Sequence, residues 1–311
     1  MYFLLSKNKF KTIQSVVIQK KRQFNRVRVG IDIGGTKIEG IILDANGSTI
    51  IRERVPTQSQ KGYPHIVSQI AQLWEKLNRS MEGEFTVGVS VPGPLDHTGR
   101  RMKKSNTVCL INQPIQDDIE AIVGVPITMD NDANCFAQAE TSLGAAKGEN
   151  MVFGVIMGTG VGGGICIHGK VHKGHQYLAG EWGHSILHPG GNSCYCGKSG
   201  CVESYISGPS LERRFTEFTG EVKPLKEIIK NPPQVWKEEF LTNFGMALSN
   251  IVNILDPDII VLGGGVSNTD FLYTEGYQYV ERYCFGDTLE TPIVKNKLGD
   301  SAGVFGAAYL P

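Results

Sequence analysis

His184, Cys194, Cys196 and Cys201 follow one another at the spacing H-x9-C-x-C-x4-C. One imidazole and three thiols are soft ligands, and together they fill the four positions of a tetrahedral Zn²⁺. Gly197 and Gly200 let the backbone turn tightly enough for the thiolates to converge. Four protein ligands leave no open position, so the spacing predicts a structural zinc and disfavours zinc-hydrolase chemistry. Glu181 and Glu203 flank the set, and a metal there holds the two carboxylates in one relation to each other. One His184 nitrogen would face the metal; the other would point outward, open to a polar substrate.

Gly-rich turns indicate what such a site serves. Asp32-Ile33-Gly34-Gly35-Thr36-Lys37 offers bare backbone N–H groups, a hydroxyl and an ammonium at a strand end. Successive N–H groups form a nest for phosphate, and Asp32 is placed to help position Mg²⁺. An ordinary hairpin turn explains the glycines equally well. The motif is neither a Walker A loop nor a dinucleotide fingerprint. Gly158-Thr159-Gly160-Val161-Gly162-Gly163 repeats the design, so two facing loops could hold the β- and γ-phosphates. Gly263-Gly264-Gly265 forms a third glycine run behind an apolar strand. In Asp130-Asn131-Asp132-Ala133-Asn134, one polar residue is expected to cap the following helix. Four polar residues in five exceed that need, and Asp132 is the candidate general base for an attacking hydroxyl.

The elements that must position these groups follow from the hydrophobic pattern. Val27–Ile33 alternates as a strand, Ile38–Leu43 returns, and a third strand is expected near Thr49–Val55. Tyr63–Leu77 has a helical period; Phe85–Val91 and Pro126–Met129 read as strands, and Cys135–Leu143 as a helix. The design then recurs with strands at Val152–Met157 and Gly164–His168. A helix over Leu241–Leu255 and a strand at Pro257–Leu262 follow. Two copies of a hairpin-plus-helix unit predict two similar α/β domains with a cleft between them.

The chain of 311 residues is long enough for two domains, and no apolar run approaches the ~18 residues of a membrane helix. Beyond the cluster, Cys109, Cys135, Cys166 and Cys284 are scattered, which fits a reducing, cytoplasmic setting better than a disulfide framework. Residues 1–28 hold eight of the 31 basic residues and no acid, leaving 23 basic against 31 acidic residues in the remainder, a balance of −8. An acidic body gives no reason to expect nucleic acid as a partner. The basic head reads as a disordered extension rather than a signal or transit peptide. Ser/His/Asp triads have no support, since no G-x-S-x-G elbow is present.

Over residues 27–311 these motifs resemble the ROK family of sugar kinases and repressors, with its actin-like, duplicated ribonuclease H-like fold. Asp32–Lys37 is similar to the family's first phosphate motif, Gly158–Gly164 to the second, and Leu262–Gly265 to the adenosine motif. Glu181-x-Gly-His184 and Cys194-x-Cys196-Gly-x-x-Gly-Cys201-x-Glu203 match its sugar and zinc motif. The resemblance implies ATP and Mg²⁺ as well as structural zinc, with Asp132 as base and Asn106, Asn131, Glu181, His184 and Glu203 as sugar ligands. It implies a smaller domain, 27–132 plus 299–311, and a larger one, 133–298, in a homodimer. The fructokinase and N-acetylglucosamine kinase branch is nearest, with motif detail leaning to fructokinase; phosphorylation of the 6-hydroxyl of fructose, glucose or mannose is the first expectation. N-acetylglucosamine is the alternative substrate, and a non-enzymatic sugar-sensing regulator the alternative class. The 26-residue head departs from the family's repressors, because it is too short for a helix-turn-helix and lacks a helical apolar repeat.

Overall fold

A computed structural model describes residues 27–79, 81 and 83–311; the basic head, residues 1–26, lies outside them. The apolar alternation that begins at Val27 makes β1 (Val27–Ile33), which pairs antiparallel with β2 (Lys37–Leu43) across the first glycine turn. β3 (Thr49–Pro56) extends the meander. On the other side of β1, β4 (Phe85–Val91) and β5 (Ile127–Asn131) are added in parallel, giving the order β3-β2-β1-β4-β5. A parallel strand needs a crossover. The helix Tyr63–Asn78 supplies it, burying Ile66, Ile70, Leu73 and Leu77 at helical spacing.

The second sheet repeats the first. β6 (Met151–Met157), β7 (Val161–Ile167) and β8 (Lys170–Val171) form the antiparallel meander. β9 (Ile259–Gly263) and β10 (Ile293–Lys295) join in parallel beyond β6. Its order, β10-β9-β6-β7-β8, is the first sheet's order read from the other end. Each sheet has its own apolar core. The architecture is a two-domain, actin-like α/β fold. No helix among the described residues is long and apolar enough to cross a membrane.

Two helices cross between the sheets. Asp132–Ser142 leaves β5 yet packs on β6 and β7, while the C-terminal helix Ala302–Tyr309 leaves β10 and packs on β1 and β4. Backbones approach closely there. A Cβ on Gly306 would stand 1.7 Å from the Cys135 carbonyl oxygen, and one on Gly88 1.8 Å from that of Ala307. Glu140 pins the crossing: its buried carboxylate accepts the N–H groups of Ala145 at 2.7 Å, Leu298 at 2.9 Å and Lys297 at 3.1 Å.

Several expected boundaries shift. The helix expected from Cys135 begins at Asp132, because Asn131 is its cap and accepts the Asn134 N–H at 2.7 Å. The return strand expected from Gly164 begins at Val161. Gly163 and Gly164 lie inside it because a Cβ there would meet Trp182 at 2.4 Å and the Ala133 carbonyl at 2.4 Å. The helix expected from Leu241 starts earlier, at Gln234, directly after Pro233, and ends where Asp256 turns left-handed at φ 46°.

Candidate active site

Strand ends and helix starts converge on a cavity of about 540 Å³ between the sheets. Asn131 closes β5 and Asp132 opens the next helix, so the run that caps that helix also delivers a carboxylate to the cavity floor. The other polar residues of the run are spent locally. Asp130 is buried, accepts from Asn134 Nδ2 at 2.8 Å and pairs with Lys173 at 3.2 Å. Asn106 lines the same cavity from the loop after β4. Glu181 and His184 reach it from a 3-10 helix, and Glu203 from the short helix that follows Cys201. Gly158, Thr159 and Gly160 form the opposite rim, closed as a turn by the Gly158 N–H donating to the Gly160 carbonyl at 2.9 Å.

Its electrostatics favour protonated carboxyls. Asp132 opens to the cavity but is otherwise ringed by protein; burial, and secondarily the charge of Asp32, raises its pKa to about 6. Glu181 is raised as well, first by burial and then by Asp132 and Glu203, with Lys103 and Lys104 pulling the other way. Asp32 is raised by burial, with the charge of Glu39 adding to the shift and that of Lys37 opposing it. A base needs a pKa near the working pH, and Asp132 meets that condition.

The four soft ligands gather as the spacing predicts. His184, Cys194, Cys196 and Cys201 place one donor atom each within 4.8 Å of one another. Cys194 Sγ lies 3.6 Å from His184 Nδ1, and Cys196 Sγ 3.6 Å from Cys201 Sγ. Ligands at Zn–S distances of about 2.3 Å stand roughly 3.8 Å apart on a tetrahedron, so the donor set fits zinc. The outward nitrogen of His184 is not open as expected: Tyr195 Oη sits 3.2 Å from Nε2.

The first glycine turn is set apart from the cavity lining. Gly35 and Thr36 are its exposed tip, and the Gly34 N–H donates to the Lys37 carbonyl at 2.9 Å. The Lys37 ammonium does not aim at the cavity. It pairs with buried Glu39 at 3.2 Å, a carboxylate that also receives Arg52 and Arg54. Burial alone would push the Glu39 carboxyl up, but these three cations overcome it and hold the group below its usual range. Gly263 ends β9, and Gly264 turns with φ 80° so close to β6 that a Cβ would stand 2.3 Å from the Met157 carbonyl. The second and third glycine runs are therefore neighbours. Gly208, which the sequence did not single out, joins them by donating its N–H to the Gly158 carbonyl at 2.9 Å. Tyr195 was also missed; its place between two ligand cysteines is the signal that would have found it.

Comparison with known proteins agrees with this geometry. The model of the ROK family matches residues 28–311. The N-acetyl-D-glucosamine kinase of Vibrio atlanticus is 35% identical over 297 residues, covering 90% of this chain and 98% of the relative. Among solved structures, the ROK hexokinase of Thermus thermophilus superposes with a TM-score of 0.82 at 30% identity, covering 91% of this chain and 97% of that one. The ROK glucokinase of Streptomyces griseus, solved with glucose and AMPPNP, gives a TM-score of 0.76 at 28% identity, covering 91% and 98%. The chain belongs to the ROK family and is one of its sugar kinases.

Proposed function

We propose that the protein transfers the γ-phosphoryl group of ATP to the 6-hydroxyl of N-acetyl-D-glucosamine, with Asp132 taking the hydroxyl proton. The observation that carries the reading is that Asp132 opens to the same cavity as Glu181, His184, Glu203 and the Gly158–Gly160 turn. A proton acceptor, a ring of hydroxyl-binding groups and an anion-binding turn are the parts of phosphoryl transfer to an alcohol. The motif details lean toward fructose; relatives at 35% identity that act on N-acetyl-D-glucosamine favour the amino sugar.

Asn106, Asn131, Glu181 and Glu203 orient the sugar, since amides and carboxylates donate to or accept from vicinal hydroxyl pairs, while His184, engaged by Tyr195, borders the ring. In-line arrival of the phosphoryl group at O6 coincides with loss of the proton to Asp132. The Gly158–Gly160 turn holds the phosphates inside the cavity, the exposed Gly35–Thr36 tip of the first turn meets them from outside its lining, and the Gly263–Gly265 turn borders the nucleoside. A solved relative carrying AMPPNP supports ATP as donor. Asp32 would hold Mg²⁺, which neutralises developing phosphate charge. His184, Cys194, Cys196 and Cys201 would hold zinc, which supplies rigidity to the sugar-facing loop.

The test is an ADP-release assay with Mg-ATP against N-acetylglucosamine, fructose, glucose and mannose, run beside Asp132→Asn. Turnover greatest on N-acetylglucosamine and lost in the variant is the expected result. Preference for fructose would replace the substrate, and equal activity in the variant would remove Asp132 from the mechanism.

A further inference from the structure

Beside the sugar cavity lies a second hollow of about 450 Å³, within the range of about 300–1,000 Å³ typical of small-ligand sites. The two share Pro94, Lys104, Glu181, His184 and Tyr195 as a common wall. Asp132 and the Gly158–Gly160 turn line only the first; Lys103, Leu178, Ile186 and Lys198 line only the second. The arrangement has a direction. In a pyranose the 6-hydroxyl projects from C5, and the C1–C2 edge lies across the ring. A sugar that presents its 6-hydroxyl to Asp132 therefore turns C1 toward the shared wall, and a substituent on C1 enters the second hollow.

The lining suits a sugar ring. Tyr195 is 70% exposed, yet it is held in place by its hydroxyl contact with His184 Nε2 at 3.2 Å and an edge-on ring contact at 5.3 Å. A steadied, open aromatic face is a surface on which the apolar face of a saccharide can lie, and exposed Leu178 and Ile186 widen it. Lys103, Lys104 and Lys198 supply N–H donors for hydroxyl and acetamido oxygens.

We infer that this hollow is a subsite for a second saccharide unit linked through C1, so that the enzyme also phosphorylates N-acetylated disaccharides on their non-reducing unit. The inference rests on the kinase reading above. In the step, the bond from the γ-phosphorus to the ADP oxygen breaks and a bond to O6 of the non-reducing unit forms. The hydroxyl proton passes to Asp132, and the glycosidic bond is untouched.

The experiment measures ADP release with N-acetylglucosamine and with N,N′-diacetylchitobiose, and locates the phosphate by fragmentation mass spectrometry. The expected product carries phosphate on O6 of the non-reducing unit. The double substitution Leu178→Ala with Ile186→Ala, at two exposed positions outside the sugar cavity, should raise the disaccharide KM roughly tenfold and leave the monosaccharide KM unchanged. Turnover of the monosaccharide without the disaccharide overturns the subsite alone, as does an equal rise in both KM values. Silence on both sugars overturns the parent reading with it.

Discussion

The carboxylate of Glu203 accepts the backbone N–H of Val161 at 2.8 Å while its other oxygen lies 3.9 Å from Cys194 Sγ. One side chain thus links the cysteine cluster to the strand that leaves the second glycine turn. The site that gathers soft ligands and the turn that offers N–H groups to an anion share a common strut.

Replacing that strut should separate sugar binding from metal content. Glu203→Gln keeps the shape but weakens a charge-assisted hydrogen bond. The expected outcome is a sugar KM raised roughly tenfold, with zinc content, measured by atomic emission, unchanged at one ion per chain. Loss of zinc in the variant would show that the carboxylate acts through the cluster rather than on the sugar.

Acid should silence catalysis before it unfolds the protein. Asp132 must be ionised to accept a proton, and its pKa stands at about 6. kcat/KM, which reports the free enzyme, should therefore fall about tenfold per unit below that pH, and Asp132→Asn should lose on the order of 10²–10⁴ in kcat. The stability effect has the opposite sign. A carboxyl whose folded value lies above its ordinary 3.8 favours the folded state when protonated, so this group's contribution is complete below 3.8 and is lost as pH rises through about 6. A kcat/KM profile and thermal melts across the same pH range check both.

Chelation should cost stability and sugar affinity together. Three thiol donors and one imidazole gather within 4.8 Å of one another, and metal binding is folding free energy where the ligands lie on irregular chain. Treatment with a strong chelator should lower the melting temperature and raise the Kd for sugar by calorimetry, and added zinc should restore both.

The helix crossing should tolerate no added carbon. Gly306→Ala would drive a Cβ to 1.7 Å from the Cys135 carbonyl, so the backbones must separate, at a cost of about 1–3 kcal/mol or more. Glu140→Ala leaves the N–H groups of Ala145, Lys297 and Leu298 without their acceptor, at a cost of about 1–3 kcal/mol or more. Urea denaturation of both variants measures these losses, and a change under 0.5 kcal/mol in either would contradict the packing described.

The parts of the site that were legible in the sequence are local ones. His184 and the three cysteines lie within eighteen residues, and the strand-turn-strand pattern around Gly34 and Gly158 is contained in single hairpins. What stayed hidden depends on register or on distant packing. Lys37 pairs with Glu39 because that carboxylate points to the sheet face where Arg54 stands opposite it in β3. The i, i+2 spacing on one strand allows the Lys37–Glu39 pair, but the burial of Glu39 among Arg52 and Arg54 follows only from the pairing with β3. The capping residues and the helix-forming run after them likewise located Asp132–Ser142 to within a turn but could not say which sheet it would cover. Gly208 meets Gly158 across fifty residues of chain, and only the folded backbone brings the two together.

The exchange of helices between the sheets has a consequence for the integrity of the repeats. A cut in the connection between Ser142 and Met151 gives one fragment whose first sheet lacks Ala302–Tyr309, and another whose second sheet lacks Asp132–Ser142. Each fragment would bare an apolar sheet face that only its complement can cover. The halves are thus interlocked rather than strung together. The duplication legible in the strand order is closed by two helices, each covering the sheet whose last strand leads into the other.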